Sequence, residues 1–362
     1  MTHPQTSTPT HTAPQHKRLG FFSRLLDEAS AAERYQLVAA QIRHAEAHGF
    51  DSAWVAQHHF HEHEGGLPAP LVFLAYLAAQ TQRIRLGTGI ITLPLENALR
   101  VAEDAAVLDL LANGRLEVGV GTGGTPASFS AFGLDSEQRR EIFAGQLATL
   151  RRAWAGAPLA GGDRIYPAAE QLLGRLWQAT FSAGGAALAG AAGDGLMLSR
   201  TQPRSAEAPQ ATLAQIQHPI IDSYLAALPA GRAPRIVASR SLFVADDRAE
   251  ALRLAEVGLR RSIARSATLG KSLVPADAPL AQIIAAYDVH VGTVADVVAS
   301  LRADTTLERV SDIVFQVHSI DPPQAQILRS IELIATEVAP ALGWRAAVST
   351  PTTTDSPLEA FA

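Results

Sequence analysis

Eight times along this chain a short apolar run of strand length gives way to a segment of helical periodicity, and that alternation limits the fold more than any other feature. The runs fall at residues 19–26, 53–56, 84–93, 115–120, 177–182, 196–199, 235–245 and 312–317. Runs apolar on both faces predict strands of a parallel sheet covered by helices. Helical segments are expected at 32–48, 71–80, 97–112, 137–154, 184–192, 211–228, 248–269, 293–303 and 324–341. In the first of them Leu37, Val38, Ile42 and Ala45 keep a spacing near 3.6 residues until Gly49 stops it. The third ends at Asn113-Gly114, a C-cap signal. Residues 156–174 and 271–290 read as irregular insertions, and no 20–50-residue repeat suggests a solenoid. Eight strand–helix units predict an α/β fold, a TIM (β/α)8 barrel with insertions, in preference to an open doubly wound sheet.

The composition narrows the function classes. Of the 362 residues, 47% are hydrophobic and 18% charged, enough apolar material for a large core. A formal charge of −5 argues against nucleic acid or an anionic membrane as partner. Cysteine is absent, which excludes disulfides, thiolate catalysis and cysteine-held metals, and fits a reducing cytoplasm. The longest apolar stretch, 179–198, is interrupted by glycines and Asp194, so no membrane span is expected. Residues 1–17 read as a disordered leader, 18–343 as the barrel domain and 344–362 as a flexible tail.

Chemistry concentrates where the second apolar run ends. The run stops at Gln57 and opens into a loop holding His58, His59, His61 and His63, four of the twelve histidines in the chain. Histidine is the side chain most easily set to exchange a proton near neutral pH, and barrel enzymes build their sites at the C-terminal ends of strands. Taken as residues alone, the pair could equally be surface-loop histidines. Alternating His59, His61 and His63 raise a zinc reading. No His-Glu-x-x-His helix signature accompanies them, so no metal is expected and His61 and His63 read as solvated.

The stretch 45–60, ending Asp51-Ser52-Ala53-Trp54-Val55-Ala56-Gln57-His58-His59-Phe60, resembles the second-strand signature of the bacterial luciferase-like flavin monooxygenases. Ile84-Arg85-Leu86-Gly87-Thr88-Gly89 resembles that family's third strand. Ala102-Glu103-Asp104, Leu108-Asp109 and Asn113-Gly114-Arg115-Leu116-Glu117-Val118-Gly119-Val120-Gly121 resemble its third helix and fourth strand. Gly292-Thr293 and Glu337-Val338-Ala339-Pro340 fit its closing pattern. The resemblance covers most of 19–342 and is dense from 45 to 133.

The resemblance implies a luciferase-like TIM barrel that uses reduced FMN, or in some branches F420, and forms a homodimer or related oligomer. It implies that His58 faces the reactive edge of the flavin as a base or hydrogen-bond donor with a pKa near working pH, and that His59 supports it. Gly89 and Ile90 correspond to a segment beneath the flavin ring, and Gly121 and Thr122 to a loop in contact with the flavin. Ser182, Gly184 and Gly185 correspond to a phosphate site, where a helix N-terminus would favour an anion. Trp54 reads as packing in the barrel wall. Two departures stand out: Gln57 replaces the usual Glu before the paired histidines, and Thr122 stands where luciferase places a phosphate-contacting arginine. Arg200, after the sixth run, is the candidate replacement.

The expected function is therefore a cytoplasmic, FMN-dependent monooxygenase that receives reduced FMN from a separate reductase and uses O2 to oxidise a small organic substrate. An F420-dependent hydride-transfer enzyme on the same barrel and a non-catalytic flavin-binding protein are the alternatives, because fold alone does not establish activity.

Overall fold

The computed structural model describes residues 16–268, 272–317 and 322–346; most of the leader 1–17 and of the tail 344–362 lies outside them. The first strand, β1 (Arg18–Ser23), runs to α1 (Ala31–Ala47), whose start is set by a reciprocal capping box between Ser30 and Glu33. There follow β2 (Ser52–Val55), α2 (Pro70–Ala78), β3 (Arg85–Thr88), a two-residue β4 (Ile91–Thr92), α3 (Ala98–Leu111) and β5 (Leu116–Gly121). The second half continues through α4 (Pro126–Ala131), α5 (Arg139–Trp154), β6 (Leu176–Ala179), α6 (Ala183–Ala191), β7 (Gly195–Leu198), α7 (Leu213–Ala227) and β8 (Ile236–Val244). It closes with α8 (Arg248–Thr268), α9 (Leu280–Ala286), β9 (Val289–Gly292), α10 (Val294–Ala303), β10 (Asp312–Gln316) and α11 (Gln324–Leu333).

Eight of the strands close a parallel barrel in the order β1-β2-β3-β5-β6-β7-β8-β10, with β10 pairing back onto β1. This is the expected (β/α)8 barrel. The sequence reading differs in detail. The run 84–93 is two strands, because the ladder breaks at Gly89 and Ile90 before β4 rejoins β5. The stretch 271–290 holds α9 and most of β9, the latter paired with the far end of β8. Both domain edges are packed: buried Lys17 donates to the Val310 carbonyl at 2.8 Å, Trp344 stacks on Phe315, and Arg345 pairs with Asp51.

The strand register decides what fills the barrel. Trp54, Gly87, Glu117, Trp177, Gly195, Val237 and Val314 fall on lumen-facing positions of successive strands. Trp54 and Trp177 meet edge to face across the lumen with centroids 5.8 Å apart. Only glycine fits beside them: a Cβ at Gly87 would lie 2.3 Å from the Trp54 ring, and one at Gly195 2.1 Å from the Trp177 ring. Trp54 thus plugs the lumen. Below the indoles the barrel is polar. Trp177 Nε1 donates to Glu117 at 2.7 Å, Arg85 pairs with the same carboxylate at 2.5 Å, and Arg18 pairs with Asp312 at 2.7 Å. With its N-terminal end closed this way, the barrel is left with one mouth, at the C-terminal ends of the strands.

Candidate active site

Adjacent barrel strands bring the residues singled out from the sequence onto one rim. Going round from β2 through β3, β5 and β6 to β7, the strand ends deliver His58, then Gly89 and Ile90, then Gly121 and Thr122, then Ser182 to Gly185, then Arg200. They form one continuous arc at the C-terminal mouth.

His58 is held from three sides. Its backbone N–H donates to the Leu67 carbonyl at 3.0 Å. Its ring lies between Arg24, which follows β1, and Gly65. Arg24 Nη2 stands 3.4 Å from His58 Nε2 and also donates to the Glu64 carbonyl. Nδ1 is buried without a partner among the described residues, and a Cβ at Gly65 would come within 2.5 Å of it. Burial, followed by the positive charges of Arg24, His59 and Arg200, pushes the His58 pKa down to about 3. Desolvation beside guanidinium charge thus favours the neutral ring, in place of the titration near working pH that the resemblance implied.

His59 diverges from its neighbour. Its ring makes an edge contact with Phe132 at 5.0 Å and packs against Phe60. It lines a small pocket with Glu64, Thr92, Thr125 and Phe129, across which Thr125 Oγ1 donates to Glu64 at 3.2 Å. Burial lowers the His59 pKa as well. His61 and His63, further along the loop, are exposed.

Gln57 is buried and acts as a three-way tie. Its Nε2 donates to Glu96 at 2.6 Å and to the Pro68 carbonyl at 3.0 Å, while its Oε1 accepts from Thr92 N at 2.7 Å. The carboxylate that Gln57 lacks is therefore supplied beside it by Glu96, whose pKa burial raises.

The remaining arc is built from small residues and a helix end. A Cβ at Gly121 would touch the Ile90 side chain at 3.1 Å and Ala179 at 3.6 Å, so β3, β5 and β6 meet here with minimal side-chain bulk. Thr122 turns its hydroxyl onto its own loop, toward the Gly123 carbonyl at 3.5 Å. Ser182 caps α6, accepting from Gly185 N at 3.2 Å. Gly184 has nothing near the position a Cβ would take, so the first turn of α6 is open on that side. Arg200 is not a surface arginine. It reaches across the mouth to Gln316 at 2.7 Å and Ser241 at 3.1 Å, toward β8 and β10.

Sequence reasoning missed Arg24, Glu96, Ser241 and Gln316. Arg24 carried a readable signal, the first charged residue past an apolar strand. The others are brought in by barrel closure and by a 39-residue separation between Gln57 and Glu96, which no local pattern reports.

Comparison with known proteins identifies the family and the fold. The profile of the luciferase-like monooxygenases matches residues 10–309. The 4-hydroxyprotoasukamycin monooxygenase of Streptomyces nodosus subsp. asukaensis is 37% identical over 108 residues, 30% of this chain and 29% of that protein. Curated relatives of this kind are matched over about a third of their length. Among solved structures, a monooxygenase from Streptomyces bottropensis is 26% identical with a TM-score of 0.71, covering 89% of this chain and 99% of that one. The oxygenating constituent of 3,6-diketocamphane monooxygenase from Pseudomonas putida, solved with FMN, shares the fold at 19% identity, with a TM-score of 0.68 over 90% of this chain and 98% of that one. No described helix is long and apolar enough to cross a membrane. The chain belongs to the luciferase-like monooxygenase family.

Proposed function

We propose that this chain is an FMN-dependent monooxygenase that takes reduced FMN from a separate reductase and uses O2 to oxidise a small organic substrate. The observation that carries the reading is the C-terminal mouth itself: a floor of Gly89, Gly121 and Ala179 beside the open, serine-capped end of α6. A flat ring fits over a floor without bulk, and a phosphate fits at amides that point out of a helix N-terminus. When bound, reduced FMN supplies the two electrons that split O2, one oxygen atom going to substrate and the other to water.

The chain's own residues bind, orient and exclude water. Ser182, Gly184 and Gly185 would hold the phosphate, with Thr122 and Arg200 on the same rim. Ile90 and Gly121 receive the ring. Arg200, fixed by Gln316 and Ser241, gives the mouth a permanent positive charge on the side of β8 and β10. Trp54 and Trp177 close the lumen beneath, so that water enters only from the mouth. His58 takes part as a neutral hydrogen-bonding group, and His59 lines the adjoining pocket. The exposed apolar face of α2 and α3, with Val72, Tyr76, Val107, Leu110 and Leu111, supports a homodimer, and the cysteine-free chain supports a cytoplasmic location.

The test is an anaerobic titration of the purified protein with FMN, photoreduced FMN and F420, followed by oxygen admission with absorbance detection. Preferential binding of reduced FMN with protein-dependent reoxidation kinetics is the expected result. Binding of F420 alone would transfer the reading to hydride chemistry, and binding of none would remove the flavin.

A further inference from the structure

We propose that Arg24 is a positioning residue that fixes His58 as the neutral tautomer protonated on Nδ1, so that the charge facing the mouth beside β1 and β2 is a guanidinium and does not titrate. A guanidinium can only donate, so the 3.4 Å approach of Arg24 Nη2 to His58 Nε2 requires the ring nitrogen to offer its lone pair. The single proton of the neutral ring then resides on Nδ1, the edge pressed against Gly65. Protonating Nε2 would set N–H against N–H.

The arrangement is built on both sides. Arg24 is held by the Glu64 carbonyl, and Gly65, the next residue, leaves no room for a side chain on the opposite edge of the ring. The loop 64–65 therefore clamps the guanidinium and the imidazole together. The charged and titratable groups facing His58 are Arg24 from the end of β1, His59 from its own loop and Arg200 from the end of β7, and all three oppose a positive ring. The Glu64 carboxylate is engaged by Thr125. No carboxylate among the described residues bonds His58 to favour its charged form.

An anionic group entering the mouth thus meets two arginines whose charge is the same at every physiological pH. His58 would serve it as an aligned neutral neighbour and not as an acid. The tautomer is a property of the chain without ligand, so its test does not depend on the flavin reading.

The experiment is nitrogen-15 NMR of the full-length protein labelled at histidine, with His58 located by difference from His58→Gln and by contacts to Gly65 and Leu67. His58 is expected to show the Nδ1-protonated pattern and no titration above pH 5. In Arg24→Met its midpoint should rise by at least one pH unit, whereas Arg24→Lys, which keeps the charge, should hold it low. An Nε2-protonated ring, or titration near the ordinary histidine range in the unaltered protein, overturns the proposal even if no variant folds. A midpoint unmoved in Arg24→Met overturns the role of Arg24.

Discussion

Replacing Gln57 by Glu, the residue the family resemblance leads one to expect there, should steepen the pH dependence of stability that buried Glu96 already confers. In the structure Gln57 Nε2 donates to Glu96 at 2.6 Å and to the Pro68 carbonyl at 3.0 Å, and both partners are acceptors. Gln57→Glu puts an acceptor against two acceptors. Two carboxylates at that spacing repel by about 6 kcal/mol at an effective dielectric of ~20, a ceiling that partial exposure reduces. The pair therefore keeps one proton, and its upper pKa rises well above the ordinary glutamate value near 4.3.

The sign follows from linkage. A carboxyl whose folded pKa is raised leaves stability intact at low pH and loses it as pH rises through the folded value. Near pH 5 the shared proton replaces one donor, leaving a loss of about 1 kcal/mol for the bond to Pro68. Near pH 8.5, with the pair raised by roughly two units above an unfolded value near 4.3, the loss exceeds that at pH 5 by about 2 kcal/mol. Urea unfolding of both proteins at the two pH values measures this, with Gln57→Leu as a non-titrating control. Equal losses at both pH values, or a larger one at pH 5, would refute the shared-proton account.

Three further outcomes are expected. Ser182→Ala, together with Gly185→Val, should weaken FMN binding at least tenfold while leaving riboflavin binding nearly unchanged, because only the phosphate meets α6; equal weakening of both ligands by calorimetry would remove the phosphate assignment. His290 is buried against Ser300 at 2.7 Å, and burial followed by the charge of Arg240 lowers its pKa to about 4. Its folded value lies below the unfolded one, so the stability tied to the neutral ring is complete above about pH 6.5 and is lost as pH falls toward 4, with a ceiling of about 3 kcal/mol; in His290→Asn the calorimetric Tm should fall less between pH 7 and pH 5. Buried Arg115 makes five hydrogen bonds, to the carbonyls of Ala78, Thr81, Ile84 and Ala112 and to the Thr81 hydroxyl. Arg115→Met should cost about 3–5 kcal/mol in urea unfolding, since it strands buried acceptors, and a loss under 1 kcal/mol would show that water replaces the guanidinium.

What the sequence by itself determined was the alternation, and with it the barrel. A strand buried on both faces must be apolar throughout, and a helix covering it must repeat every 3.6 residues, so both leave local signatures that survive in a single chain. The same locality placed His58, Ser182 and Arg200 at strand ends, hence on one rim. The motif resemblance identified the family because its residues lie close together, from 45 to 133. What only the tertiary structure decided was who faces whom. Arg24 is 34 residues from His58, and Gln316 is 116 from Arg200. Those contacts set guanidinium charge beside His58, which favours its neutral form, and tie Arg200 to Gln316 and Ser241 across the mouth. Ionisation depends on desolvation and on charges within a few ångströms. Barrel closure sets those distances, and local spacing does not encode them.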